Sequence, residues 1–168
     1  MIAGLLPWFF FSDALGAATN SFLEYSYMVK KLNFRIGLIP FVKIGSSMII
    51  HLVFLLFSSV IFNFYSYKAD WIYLQLIYYI SATTLLVAGI GLITSSLAVY
   101  LRDTSQIVAI MIQIGFWAIP IVWGPEVLTP KWRLLFLANP IYYLVEVYRD
   151  TLIRNVFFWE KGIYSIYF

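Results

Sequence analysis

Asp, Glu, Lys and Arg divide the chain unevenly. None occurs from Ile44 to Tyr67, from Trp71 to Leu101 or from Thr104 to Pro125, although the first interval contains His51. An apolar helix needs roughly 20 residues to cross a bilayer core of about 30 Å, so each interval predicts a transmembrane helix. A fourth span is predicted at the start, where GLLPWFFFSDALGAATNSFL at 4–23 is long enough to cross and has only Asp13 inside it. A cleaved export signal does not fit that stretch, because no basic residue precedes the apolar run and the next spans follow closely.

From Trp123 onward the pattern changes. Thr129-Pro130 and Asn139-Pro140 each set a capping residue before a proline, the pair preferred at N-cap and N1, so two short helices are predicted, over 130–138 and 140–153. The first would be only about 13 Å long, too short to cross. Yet Trp132, Leu134, Leu135, Phe136 and Leu137 are too apolar for water. A re-entrant or interfacial hairpin accommodates both facts, and broken backbone at membrane depth survives only against protein or a water-filled cavity. Glu146, Arg149 and Asp150 charge the second helix, with Arg154 just beyond it, which predicts a place at the membrane surface. Pro120, near the end of the third charge-free interval, predicts a kink or a stop there. The predicted fold is an all-α integral membrane protein with about four transmembrane helices and a re-entrant or interfacial helical hairpin, in a single transmembrane domain over 1–168.

Composition agrees. Of 168 residues, 62% are hydrophobic and 11% charged, against roughly 45–50% and about 25% in soluble domains. A water-soluble globule and intrinsic disorder are both excluded, and zero cysteines exclude a disulfide scaffold. The net charge is +3, but the 11 Lys and Arg form no basic face or tail, so nucleic acid is not an expected partner. They read as topology charges: Lys30, Lys31, Arg35 and Lys43 in the first loop and Arg102 in the third put those loops in the cytoplasm. Aromatic residues, 20% of the chain, gather at span ends as an interfacial belt does.

No catalytic or metal-binding constellation stands out. His51 is the only histidine, with no Asp or Glu in its helix, and no Gly-x-x-x-x-Gly-Lys-Ser/Thr loop occurs, so the chain is not expected to hydrolyse ATP by itself. Catalytic residues, metal and cofactor are all expected to be none. An ionisable residue inside a span is a candidate functional group; for His51 the expected state is a neutral imidazole bonded to a neighbouring helix. Asp13 reads either as facing a cavity or a dimer seam, or as a carboxylate near a helix end. Ala88, Gly89, Gly91, Ser95, Ser96 and Ala98 suit close helix packing. Arg102 and Asp103 mark a tight cytoplasmic turn. Arg149 has two readings. It is either half of a surface i,i+3 pair with Glu146 worth about 0.2–0.5 kcal/mol, or a partly buried tie holding the hairpin as a lid, where breaking a charged contact costs about 3–5 kcal/mol.

The order of elements and four motifs resemble the type-2 permease subunits of bacterial ABC transporters that export polysaccharides such as O-antigen, capsule and teichoic acid. The motifs are GLLPWFFFSDAL at 4–15, KKLNFRIGLIP at 30–40, YLRDTSQI at 100–107, and the run from Phe116 to Ile153 with FWAIPIVW and LANPIYYLVEVYRDTLI. The last is the most specific, because a proline near the span end, an Asn-Pro and a Tyr-Arg-Asp recur in that order. The resemblance implies that Lys30, Lys31, Asn33, Phe34 and Arg35 lie near the helix that seats in a separate ATPase subunit, which binds the ATP. It implies a hairpin or gate at Pro120, Asn139, Pro140, Tyr148, Arg149 and Asp150. It further implies a homodimer lining a pathway for lipid-linked polysaccharide in the bacterial cytoplasmic membrane. Met1 to Lys30 would match the family's second span, so the N-terminal amphipathic helix, first span and last span are expected to be missing from these 168 residues. Competing functions are an ABC exporter of a drug or lipid, a non-catalytic membrane assembly factor, and a membrane acyltransferase using His51.

Overall fold

The computed structural model describes residues 2–26, 36–64, 71–121, 139–154 and 156. Among them there are helices and no strands: α1 (Ile2–Glu24), α2 (Ile39–Phe64), α3 (Gln75–Tyr100), α4 (Thr104–Ala118) and α5 (Pro140–Arg149). Short 3-10 turns at Ile36–Leu38 and Trp71–Leu74 lead into α2 and α3, and α5 runs on into a π-helical turn, Asp150–Arg154. The fold is all-α, and three helices, Ile2–Glu24, Ile39–Phe64 and Trp71–Tyr100, are long and apolar enough to cross a membrane.

The third charge-free interval does not form a full span. Its helix, α4, has 15 residues, about 22 Å at 1.5 Å per residue, short of the roughly 30 Å core. Absence of charge is not what ends it. Pro120 disfavours the α conformation in the residue before it, and Ile119 is extended, with φ −84° and ψ 140°. The last helical bond runs from the Ile119 amide to the Gly115 carbonyl at 2.9 Å. The 130–138 helix and most of the loop expected to contact an ATPase lie outside the described residues.

α1 is the central element, packing against α2, α3, α4 and α5. Ala3 and Leu6, near its start, share a cluster with Leu76, Tyr79 and Ile80 near the start of α3. The Thr19 and Thr94 hydroxyls, near the two helix ends, lie 2.8 Å apart. α1 and α3 therefore run in the same direction. Gly91 makes the approach possible, since a Cβ there would lie 2.8 Å from the Ala18 Cβ. Within the expected small-residue run, Ala88, Gly91, Ser95 and Ala98 are buried, while Gly89 and Ser96 are exposed. α2 runs the opposite way, and Lys43 sits in its first turns rather than in the loop, with Nζ 2.6 Å from Glu24 at the end of α1.

α5 is buried against the other helices. Tyr142 and Val145 pack into a cluster with Trp8, Phe10, Phe11 and Ala14 of α1, and Leu144, Val147 and Tyr148 into the cluster of Ala3, Leu6, Leu76, Tyr79 and Ile80. Its charges were misleading because they pair with one another, which frees both apolar faces to be buried.

Candidate functional site

The site is built where α4 breaks. Helix ends leave carbonyls without intrahelical partners, and after Ile119 turns away the Pro120 and Ile121 carbonyls need donors from elsewhere. Arg149 supplies them: its Nη2 donates to the Pro120 oxygen at 2.8 Å and to the Ile121 oxygen at 2.7 Å. Its Nη1 donates to Glu146 Oε1 at 2.9 Å. Arg149 is 8% exposed and Ile121 0%. Both readings of Arg149 therefore describe real contacts, but burial and the two carbonyls put it with the tie rather than the surface pair.

The sequence places this guanidinium through α5. Asn139 is the N-cap, in extended conformation at φ −92° and ψ 115°, with Pro140 following; the Asn139 side chain accepts from the Ile141 amide at 3.0 Å. From that fixed start Arg149 falls in the last turn of α5, where a cation also complements the helix dipole. Gly4 of α1 lies beneath it: a Cβ there would meet Arg149 Nε at 3.1 Å and Val145 Cγ1 at 3.2 Å. A side chain on α1 would compete with the guanidinium for that space.

Beyond Arg149 the ion network continues. Arg154 Nη1 donates to Glu146 Oε2 at 3.2 Å and to Asp150 Oδ1 at 2.9 Å, and the two carboxylates hold the Arg154 guanidinium above its ordinary pKa against the opposing effect of burial. The π-helical turn brings Thr151 to α3, where Gln75 Nε2 donates to Thr151 Oγ1 at 2.6 Å and to the Val156 carbonyl at 3.3 Å. Single-turn π segments recur at functional sites. The pairing of Gln75 with Thr151 was not visible in the sequence; the only cue was an amide inside a charge-free run.

On the other side of α5, Tyr148 meets His51. The Tyr148 hydroxyl lies 3.0 Å from His51 Nε2, and the imidazole stacks on Phe10 at a centroid distance of 4.8 Å. His51 is 3% exposed and bonded to a neighbouring helix, as expected. Bonds of this kind inside membranes are worth only about 0.6 kcal/mol on average, so this one orients more than it stabilises.

The remaining candidates fall apart from this site. Arg102 and Asp103 are exposed in the turn between α3 and α4. Lys30, Lys31, Asn33, Phe34 and Arg35 lie outside the described residues. Asp13 is exposed in the middle of α1 rather than near its end. Among the described residues no group of three or more metal-ligating side chains comes together.

Three spanning helices, the first of them central, and a short capped helix buried against it and tied to the broken end of a fourth, define a multi-pass membrane protein. The ABC-2 type transporter family matches residues 1–153, and the chain belongs to that family of transport subunits, in the bacterial inner membrane. Two O-antigen export system permease proteins RfbA from Klebsiella pneumoniae are 26% identical over 164 residues and 25% identical over 166 residues. Each alignment covers 95% of this chain, and the chain spans 62% of the length of either relative.

Proposed function

We propose that the chain belongs to the membrane-spanning permease of an ABC exporter for lipid-linked polysaccharide, working as a pair of copies driven by separate ATPase subunits. ATP is bound by those partners, and this chain carries no cofactor. The loop holding Lys30, Lys31, Asn33, Phe34 and Arg35 is the part that receives their push, and the hairpin held by Arg149 is the gate.

The observation that carries this reading is the contrast between two exposed faces. Along α2, Ile49, Val53, Leu56, Phe57 and Val60 point outward, a face suited to lipid. Along α1, the exposed and half-buried positions down to Asn20 are Ile2, Leu5, Phe9, Ser12, Asp13, Gly16, Ala17 and Asn20, a face that is apolar at its start and carries a hydroxyl, a carboxylate and an amide from mid-helix on. A carboxylate at mid-span is costly against lipid, and such residues face a bundle interior or a watery cavity. A polar stripe with an aromatic ring on it suits a path for sugars, whose faces stack on aromatics while their hydroxyls bond to carboxylate and amide groups. The O-antigen export names of the relatives support the same cargo.

The test is complementation. The permease and an ATPase subunit of an O-antigen exporter are expressed in a strain deleted for its own O-antigen permease. Return of polymer to the cell surface is expected; polymer retained inside on its lipid carrier would refute the cargo.

A further inference from the structure

We infer that His51 is a positioning residue of the transport cycle, acting through Tyr148 to tie α2 to the helix whose Arg149 holds the broken end of α4. The inference rests on the permease reading above. α2 begins just after the 30–35 loop, so a push at that loop reaches it directly. It packs along one stripe: Ile39, Pro40, Ile44, Ser47, His51 and Ser58 are buried, Met48, Leu55 and Phe62 pack partly buried against the core, and the large apolar side chains beyond them face outward. Midway along that stripe His51 joins two other elements at once. Its ring stacks on Phe10 of α1 at 4.8 Å, and its Nε2 pairs with the Tyr148 hydroxyl of α5 at 3.0 Å.

An apolar side chain would fill this buried position at less cost, because a buried polar group must be hydrogen-bonded to be tolerated. His51 and Tyr148 are thus matched to each other, and loss of either leaves the other unpaired. Tyr148 is followed by Arg149, whose Nη2 donates to the Pro120 and Ile121 carbonyls. Two adjacent side chains of α5 therefore connect α2 to the point where α4 stops. Displacement of α2 carries Tyr148 with it, and the guanidinium next to Tyr148 moves or releases the 120–121 backbone. Coupling of this kind needs a contiguous physical chain and a two-state element at its end. The bonds supply the chain, and the unwound end of α4, held by a side chain rather than by its own helix, supplies the element.

The experiment uses the assembled transporter with its ATPase and a cysteine in place of Ile121, which is fully buried at rest. The rate of labelling by a small impermeant thiol reagent is read with and without ATP. ATP is expected to raise that rate several-fold in the otherwise unchanged protein. The response should vanish in His51→Phe and in Tyr148→Phe, fall no further in the double variant, and return in His51→Gln, whose amide reaches the same hydroxyl. A cysteine at Val87, also fully buried but in the α1–α3 core, should stay slow throughout. An ATP response intact in His51→Phe, no response in the unchanged protein, or loosening at position 87 as well would each overturn the inference. Labelling does not depend on the cargo, so a protein that fails to export polysaccharide refutes the functional reading and still leaves this result decisive.

Discussion

Arg149 Nη2 lies 2.7 Å from the carbonyl oxygen of Ile121, across 28 residues of chain. A charged side chain on one short helix thereby does for the end of another what a capping residue does locally. Hydrogen bonds to charged groups contribute about 1.5–3 kcal/mol each, and removing one member of a buried charged contact costs about 3–5 kcal/mol. Arg149→Ala should therefore loosen the 120–121 backbone, seen as faster hydrogen exchange of the Ile121 amide, and should lose or leak export in a permease that still inserts. Arg149→Lys should fall between, because an ammonium offers a point charge without the planar fork. Arg149→Ala with unchanged exchange and tightly coupled export would return the residue to a surface pair worth about 0.2–0.5 kcal/mol.

Gly4 should be sensitive for a reason unrelated to backbone conformation. A Cβ at Gly4 comes within 3.1 Å of Arg149 Nε, whereas one at Gly16 meets nothing within 4 Å. Gly4→Val should weaken export in the same way as Arg149→Ala and add little to it in the double variant. Gly16→Ala should fold and assemble normally. Equal tolerance at both positions, measured by assembly with the ATPase and by export, would remove the guanidinium from above Gly4.

Pro120 should be needed to keep its own carbonyl free for Arg149. With Pro120→Ala the restriction on Ile119 is relieved and α4 can continue, which offers a helical donor to the carbonyl at position 120; the Ile121 carbonyl, four residues before Pro125, gains none and keeps Arg149. Amide protection at Ile121 should rise and the gate should stiffen. Unchanged protection would mean that Arg149 alone, not the proline, ends the helix.

The spans α2 and α3 were legible because charges bracket them, and Asn139-Pro140 located the start of α5, since a cap is local chemistry. The end of α4 was not legible from charge, because Pro120 acts on the backbone of Ile119 while the apolar sequence runs on. The partner of Arg149 could not be read at all: backbone carbonyls carry no residue identity, and those of Pro120 and Ile121 become acceptors only once the helix stops. The burial of α5 was hidden for a similar reason. Glu146, Arg149, Asp150 and Arg154 neutralise one another at i,i+3 and longer spacings, so a charged stretch of sequence became a buried helix. For His51 the residue type was enough to expect a neutral, bonded imidazole, but nothing in the sequence paired it with Tyr148, which stood out only as part of the Tyr-Arg-Asp motif.

Asp13 separates a lipid-facing helix from one that faces a path. It is exposed at mid-span on α1, and a carboxylate at the centre of a bilayer costs about 2.5–3.5 kcal/mol on insertion scales. If that face met lipid, Asp13→Leu would make insertion easier and leave export untouched. If it lines a watery path for sugars, Asp13→Leu should insert and assemble as before but export less, because a hydroxyl-binding group is replaced by an apolar one. Solvent access gives the independent measure. A cysteine at position 13 of this cysteine-free chain should react with a hydrophilic thiol reagent, while one at Val53, 65% exposed on the apolar face of α2, should not. Equal protection at both positions, together with full export from Asp13→Leu, would assign α1 to the lipid and move the path elsewhere.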